Sequence, residues 1–203
     1  MADTKISALA ELTIPEDGDF IPIVDTSETA TKKISVENLR HSQINDYITQ
    51  SDNTDQAIAD IKVAQRITFD TDIDNSGFTR TSSSRFTCAT TGDYLIAFSG
   101  VAVGAQNEYI SVWLRKGTGA GASTVADNIP NSNTLYQFKT NGMSSVIAVT
   151  FILDIVAGEW IEWLTWGSAV TSTWNHTAAV VDNPGVTPGR PACPSIIFTC
   201  NRV

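Results

Sequence analysis

From Gln65 to the C-terminus the sequence alternates with a period of two, and no convincing helical stretch interrupts it. Arg66–Asp70, Arg85–Ala89, Asp93–Phe98 and Tyr109–Leu114 are rich in β-branched and aromatic residues, with clusters of Gly, Asn, Asp and Ser between them. Ser145–Leu153 and Glu159–Trp166 flank a turn at Val156–Gly158, and Pro194–Cys200 ends the series. About eight short strands in succession predict an antiparallel sandwich, so the chain is read as mainly β. A length of 203 residues allows one good core or two small units, and no large multidomain enzyme.

Charge narrows the function classes. Only 17% of residues are charged against 42% hydrophobic, which excludes a wholly disordered acidic chain. The net charge is −9, and a free-standing nucleic-acid binder needs a basic face, so no nucleic-acid partner is expected. No run reaches the 18 to 20 or so apolar residues of a membrane span, and Met1–Leu12 has no signal-peptide core. Cys88, Cys193 and Cys200 form no disulfide framework or paired-cysteine motif, which points to synthesis in a reducing cytosol. No membrane partner is expected.

The charge is unevenly spread. Residues 1–62 carry 12 acidic and 5 basic side chains, whereas residues 63–203 carry 10 and 8. Nearly all the aromatics lie in the second part. A polar leading segment joined to a globular domain is therefore expected, with boundaries at 1–40, 41–64 and 65–203. Within the first, Phe20–Val24 predicts an edge strand, since Pro22 lacks a ladder donor. Thr31–Ile34 predicts its hairpin partner, and Ser35 the N-cap of a short helix bearing Leu39. Such a unit is too small to stand alone. In the second, Ile44, Tyr47 and Ile48 have helical spacing, as do Ile58, Ile61 and Ala64 after a break at Ser51–Thr54. The narrow stripe fits a short trimeric stalk through Ile44, Ile48, Ile58 and Ile61, or a helix lying on its own domain.

The catalytic inventory is thin. His41 and His176 are the only histidines, and no nucleophile elbow, zinc-protease, phosphate-loop or dinucleotide motif occurs. A serine hydrolase built on His176 would need a triad geometry that spacing does not show. Asp70, Asp72 and Asp74 match the first three ligand positions of a calcium loop, but Asn75 stands where Gly is required and Thr81 where the bidentate Glu belongs. A solvated acidic turn and a calcium site both remain open there. No cofactor is called for and no metal ligand set is assigned. Alternation places Trp160 and Trp166 on one strand face and Trp163 on the other. Trp160 and Trp166 are thus a candidate saccharide face, set against burial in a core or subunit interface.

Two resemblances follow from these residues. Ile6–Leu39, with its strand at Asp19–Asp25, polar turn, Thr31–Ser35 strand and following Ser-led helix, resembles the N-terminal segment of many bacteriophage fibre and virion surface proteins. That likeness implies a mounting arm using Phe20, Ile21, Ile23, Val24, Lys32, Lys33, Ile34 and Leu39. Phe86–Phe98, Ile110–Lys116 and Val156–Trp160, with the last strand Pro194–Cys200, resemble the trimeric jelly rolls of the complement and tumour-necrosis-factor class. Together the likenesses imply a homotrimer on the virion surface, made in the host cytoplasm and not an enzyme. Its partners would be itself and the major capsid protein or another virion protein. Residues 41–64 would reach only about 35 Å if wholly helical, which favours capsid decoration (a cement or head-fibre protein) over a long fibre. The alternative is a short tail-fibre or tail-tip protein binding host surface glycans through Trp160 and Trp166 or the Gly117–Gly121 loop.

Overall fold

The computed structural model describes residues 20–24, 31–35, 46–178 and 192–203. The chain divides into two units, Met1–Ile44 and Asn45–Val203. In the first, strands β1 (Phe20–Val24) and β2 (Thr31–Ser35) pair antiparallel, with Phe20 opposite Ser35 and Val24 opposite Thr31. This is the hairpin expected from the apolar run and its partner at Thr31–Ile34. Ser35 is the last residue of β2, and the helix expected after it, with Leu39, lies outside the described residues.

The second unit is an antiparallel sandwich. Its strands are β3 (Tyr47–Asp52), β4 (Gln56–Ala57), β5 (Gln65–Arg66), β6 (Thr71–Ser76), β7 (Phe78–Arg80), β8 (Arg85–Cys88), β9 (Gly92–Gly104), β10 (Tyr109–Thr118), β11 (Thr134–Gln137), β12 (Met143–Ile155), β13 (Glu159–Gly167), β14 (Thr173–Trp174) and β15 (Ile196–Arg202). One sheet runs β12-β9-β15-β3-β6, with β14 and β4 continuing beyond the end of β15 along β9. The other runs β11-β10-β13-β8-β7, with β5 beside β8 on the same edge of β13. Among the described residues the one helical feature is a 3-10 turn at Val125–Asp127.

Alternation builds the core. Along β9 the even-numbered residues Tyr94, Ile96, Phe98 and Ala102 are buried, while the odd-numbered ones face outward. They meet the inward side of β13, where Trp163 is fully buried. The rings interlock: Phe98 lies 4.8 Å from Trp163 and 5.4 Å from Trp174, and Phe198 lies 5.7 Å from both Phe69 and Phe86. Gly100 is required beneath Trp174, because a Cβ there would come within 2.7 Å of the indole ring. Cys88 and Cys200 are buried free thiols and Cys193 is exposed. Burial pushes the Cys200 thiol well above its ordinary value.

Over residues 46–64, the described part of the 41–64 segment, the structure overturns the helical reading. Tyr47–Asp52 is a strand between β15 and β6, with Thr49 opposite Thr199 and a bulge after it on the β6 side. Ile48 and Ile58 belong to the sandwich core, Ile61 is 44% exposed beside it, and Ile44 lies outside the described residues. Ile48 and Ile58 are therefore spent on the protomer's own core and are not a stalk seam. Long-range pairing has won over local spacing, as expected where β-branched and aromatic residues sit between two strands.

Glu108 fastens the turn between β9 and β10 to residues 171–172. Its carboxylate accepts from the Ala105 N–H at 2.9 Å, the Thr171 hydroxyl at 2.5 Å and the Ser172 hydroxyl at 3.0 Å. These hydrogen bonds, that of Thr171 foremost, hold its pKa below the ordinary carboxylate value against an opposing effect of burial. A depressed folded-state value means the stabilisation is present above the ordinary Glu value and is lost as the pH falls through the folded one. Glu108→Gln is expected to lower stability at pH 7 by about 0.5 kcal/mol, allowing for solvent screening at this partly open site. The gap should shrink as the pH falls below the ordinary carboxylate range, read by urea unfolding at neutral and at acid pH; an unchanged gap would show that Glu108 is not the titrating group.

Candidate functional site

Two outward faces of the sandwich stand out. The first is the outer face of β12, β9, β15 and β3. In register it carries Val146 opposite Val101, Thr150 opposite Ala97 and Ile152 opposite Leu95, then Ile197 opposite Ser99 and Thr49 opposite Thr199. Val146 is 71% exposed and Ile152 63%. On β12 and β9 no charged residue occurs between the Ser144–Val103 pair and the Ile152–Leu95 pair; Asp93 and Asp154 mark one end. A protein with so little charge overall has here an open sheet face of valine, isoleucine, leucine, alanine, serine and threonine. Contiguous exposed apolar surface of this kind marks an association site.

The second is the outer face of β8, β13 and β10. Glu162 sits at its centre, with Arg85 directly opposite on β8 and Arg115 directly opposite on β10. Residues opposite one another in register share a face, so the strands line up a cation, a carboxylate and a cation. The Glu162 carboxylate is 1% exposed; its Oε2 pairs with Arg85 at 3.3 Å and with Arg66 of β5 at 3.2 Å. The Arg85 guanidinium lies 3.9 Å above the Trp160 ring and donates to the Gly121 carbonyl at 2.9 Å. Arg115 is 8% exposed and donates to Asn128 Oδ1 at 2.6 Å and Ser123 Oγ at 3.1 Å. Both arginines thus hold the small-residue segment 119–123 over the sheet. Gly117 permits this packing, since a Cβ there would meet the Trp160 ring at 2.5 Å.

Two clefts open on this face and meet at Arg66. One, of about 560 Å³, lies between Arg85, Trp160 and Glu162 and the segment 119–122. The other, of about 600 Å³, lies between Arg115 and Leu164 and the loop 62–65.

Several sequence expectations change at this point. Trp160 and Trp166 do share the outer face of β13 and Trp163 the inner one. Neither Trp160 nor Trp166 is an open stacking platform, however. Trp160 is 3% exposed beneath Arg85, and Trp166 is half-buried with its Nε1–H donating to the Ile61 carbonyl at 2.6 Å. Asp70, Asp72 and Asp74 lie on or beside strand β6 rather than in a ligand loop. Asp70 accepts from the Asn53 N–H at 3.1 Å, Asp72 from Gln50 Nε2 at 2.5 Å and Asp74 from the Tyr47 hydroxyl at 3.1 Å. The last bond, with the nearby Asp74 charge, raises the Tyr47 pKa. Among the described residues no group of three His, Cys, Asp or Glu is placed to hold a metal ion. The His176 N–H donates to Asp55 at 2.6 Å, and no described hydrogen bond joins its ring to a serine. Of the residues expected to form the mounting arm, all but Leu39 lie in the β1–β2 hairpin. The sequence reading missed Arg66, Arg85, Arg115 and Glu162.

Comparison with known proteins gives the fold. No protein-family model matches the chain, and no curated protein matches its sequence. Murine APRIL, crystallised at pH 5.0, superposes with a TM-score of 0.50 at 5% identity, covering 78% of this chain and 99% of that one. The sandwich is a jelly roll. The globular domain of the zebrafish complement 1qA protein gives a TM-score of 0.46 at 13% identity, covering 78% of this chain and 96% of that one. At such identities the likeness is one of fold alone.

Proposed function

We propose that this protein is a homotrimeric structural component of a bacteriophage virion, mounted by its N-terminal arm with the jelly-roll knob facing outward. Capsid decoration, as a cement or head-fibre protein on the virion surface, is the first placement, with the major capsid protein or another virion protein as partner. The role is structural and not enzymatic. What carries it is the uncharged outer face of β12, β9, β15 and β3, which a single protomer leaves bare and a closed ring of three copies covers. The separate hairpin unit and its likeness to phage mounting segments support the anchoring end. Three arms on one trimer bind together, so avidity exceeds the strength of any one arm. Deleting residues 1–40 is expected to leave a folded, associated knob that no longer decorates phage heads, read by electron microscopy of heads mixed with purified protein. A truncated knob that still coats heads would remove the arm from the account.

A second reading, a short tail-fibre or tail-tip protein binding host glycans, is favoured by the polar clefts beneath the 119–123 segment. Mixing the full chain with tails and host cells separates the two: binding there and not to heads would move the protein to the receptor side.

A further inference from the structure

We infer that the clefts on the outer face of β8, β13 and β10 bind a saccharide bearing an anionic group, a carboxylate or a phosphate. The first ground is charge. On a chain of net charge −9, the residues lining the two clefts include four cations (Lys62, Arg66, Arg85, Arg115) and a single carboxylate, Glu162. Buried charges in proteins are ordinarily paired. Here Glu162 Oε2 is taken by Arg66 and Arg85, while Arg115, almost fully buried, donates only to the neutral oxygens of Asn128 and Ser123 among the described residues. One guanidinium is left without an ion-pair partner within 4 Å among the described residues, at the rim of a cleft. An incoming oxyanion supplies it, and guanidinium groups suit carboxylate and phosphate equally because both present two oxygens to the planar fork.

The second ground is the neutral lining, which fits a polyhydroxylated body better than a bare ion. Glu162 Oε1 and Trp160 Nε1 are buried with no hydrogen-bond partner. One is an acceptor and the other a donor, on residues two apart on the same strand face. A sugar hydroxyl can serve either. The rim adds Thr81, Ser82 and Thr87, and the volume of about 560 Å³ suits a small molecule rather than a single anion. The covering segment contributes only Gly119, Ala120, Gly121 and Ala122, and Gly119 takes a φ of +72° with open space around its Cα. The site deepens the receptor-binding reading but depends on neither the trimer nor the virion placement.

The test is calorimetric titration of the full-length protein with glucuronate, N-acetylneuraminate and glucose 6-phosphate, with glucose and inorganic phosphate as controls. At least one acidic sugar is expected to bind with a Kd of about 1 mM or tighter, weakening as salt is raised, with glucose silent. Arg115→Gln should weaken binding about tenfold. Because that side chain also holds Asn128 and Ser123, Arg66→Gln at a half-exposed position is the second variant; it should weaken binding while the protein stays folded at the titration temperature, the loss of its ion pair with Glu162 appearing as a lower melting temperature. Silence from all three acidic sugars at about 10 mM overturns the inference, as does binding of inorganic phosphate alone or equal binding of glucose. Undiminished binding by Arg66→Gln overturns it as well. None of these outcomes bears on the oligomeric state, so failure here leaves the trimeric reading intact.

Discussion

Trp163→Ala is expected to destabilise the sandwich by about 3–5 kcal/mol, measured by urea unfolding of the full-length protein. Trp163 is fully buried and packs against Phe98, Phe151 and Phe198 at ring separations of 4.8, 6.0 and 6.1 Å. These partners come from three different strands of the opposite sheet, so the indole is the piece that joins the layers. Truncation leaves a cavity lined by rings that belong to long strands, β9 and β12 among them, which have little freedom to collapse into it. Trp163→Phe separates the volume from the polar atom. Trp163 Nε1 is buried with no partner, so Phe loses no hydrogen bond and sheds a desolvated donor. It should cost clearly less than Ala, at about 1–2 kcal/mol. Equal losses for Phe and Ala would mean the indole nitrogen has a partner that counts.

How much of this was legible in the sequence depended on how local each determinant was. The strands around Tyr94, Tyr109 and Trp163 were readable because one face of each is buried against the other sheet, which writes the period of two into the sequence. The same rule correctly set Trp160 and Trp166 apart from Trp163. Strand β3 failed for a specific reason. Its inward positions are Ile48, Gln50 and Asp52, and two of those three are polar, so the alternation is hidden. Gln50 is fully buried and satisfied on its nitrogen by Asp72, a partner 22 residues away that no window reveals. With the inward pattern erased, Ile44, Tyr47 and Ile48 read as a helical stripe. The cationic face was missed on similar grounds. A Glu between two tryptophans on a strand reads as solvent-facing, and only the fold of segment 119–123 over the sheet makes Glu162 a buried group flanked by Arg85 and Arg115.

Lysine at Val146 or Ile152 should convert an associated protein into a folded monomer. Each side chain stands on the outer face of β12, more than half exposed in the protomer, so a lysine there is fully hydrated and alters protomer stability by no more than about 0.5 kcal/mol. The consequence for association is far larger. Covering that face places each lysine against Val101 or Leu95 and their counterparts on a neighbouring copy, with no carboxylate along the central stretch to receive it. Stripping an ammonium of water without a partner costs several kcal/mol, and threefold symmetry repeats the cost at every interface. Sedimentation equilibrium should therefore give three times the 21.8 kDa chain mass for the parent and 21.8 kDa for Val146→Lys and Ile152→Lys. The melting temperature of the parent should rise with concentration and that of the variants should not. Leu135→Lys supplies the contrast. Leu135 is 57% exposed on β11, on the outer side of the other sheet, and its replacement should leave the mass unchanged. A parent that sediments as a monomer would remove the trimer, and a Val146→Lys protein that stays associated while Leu135→Lys falls apart would put the interface on the other sheet. The uncharged face would then need a different occupant.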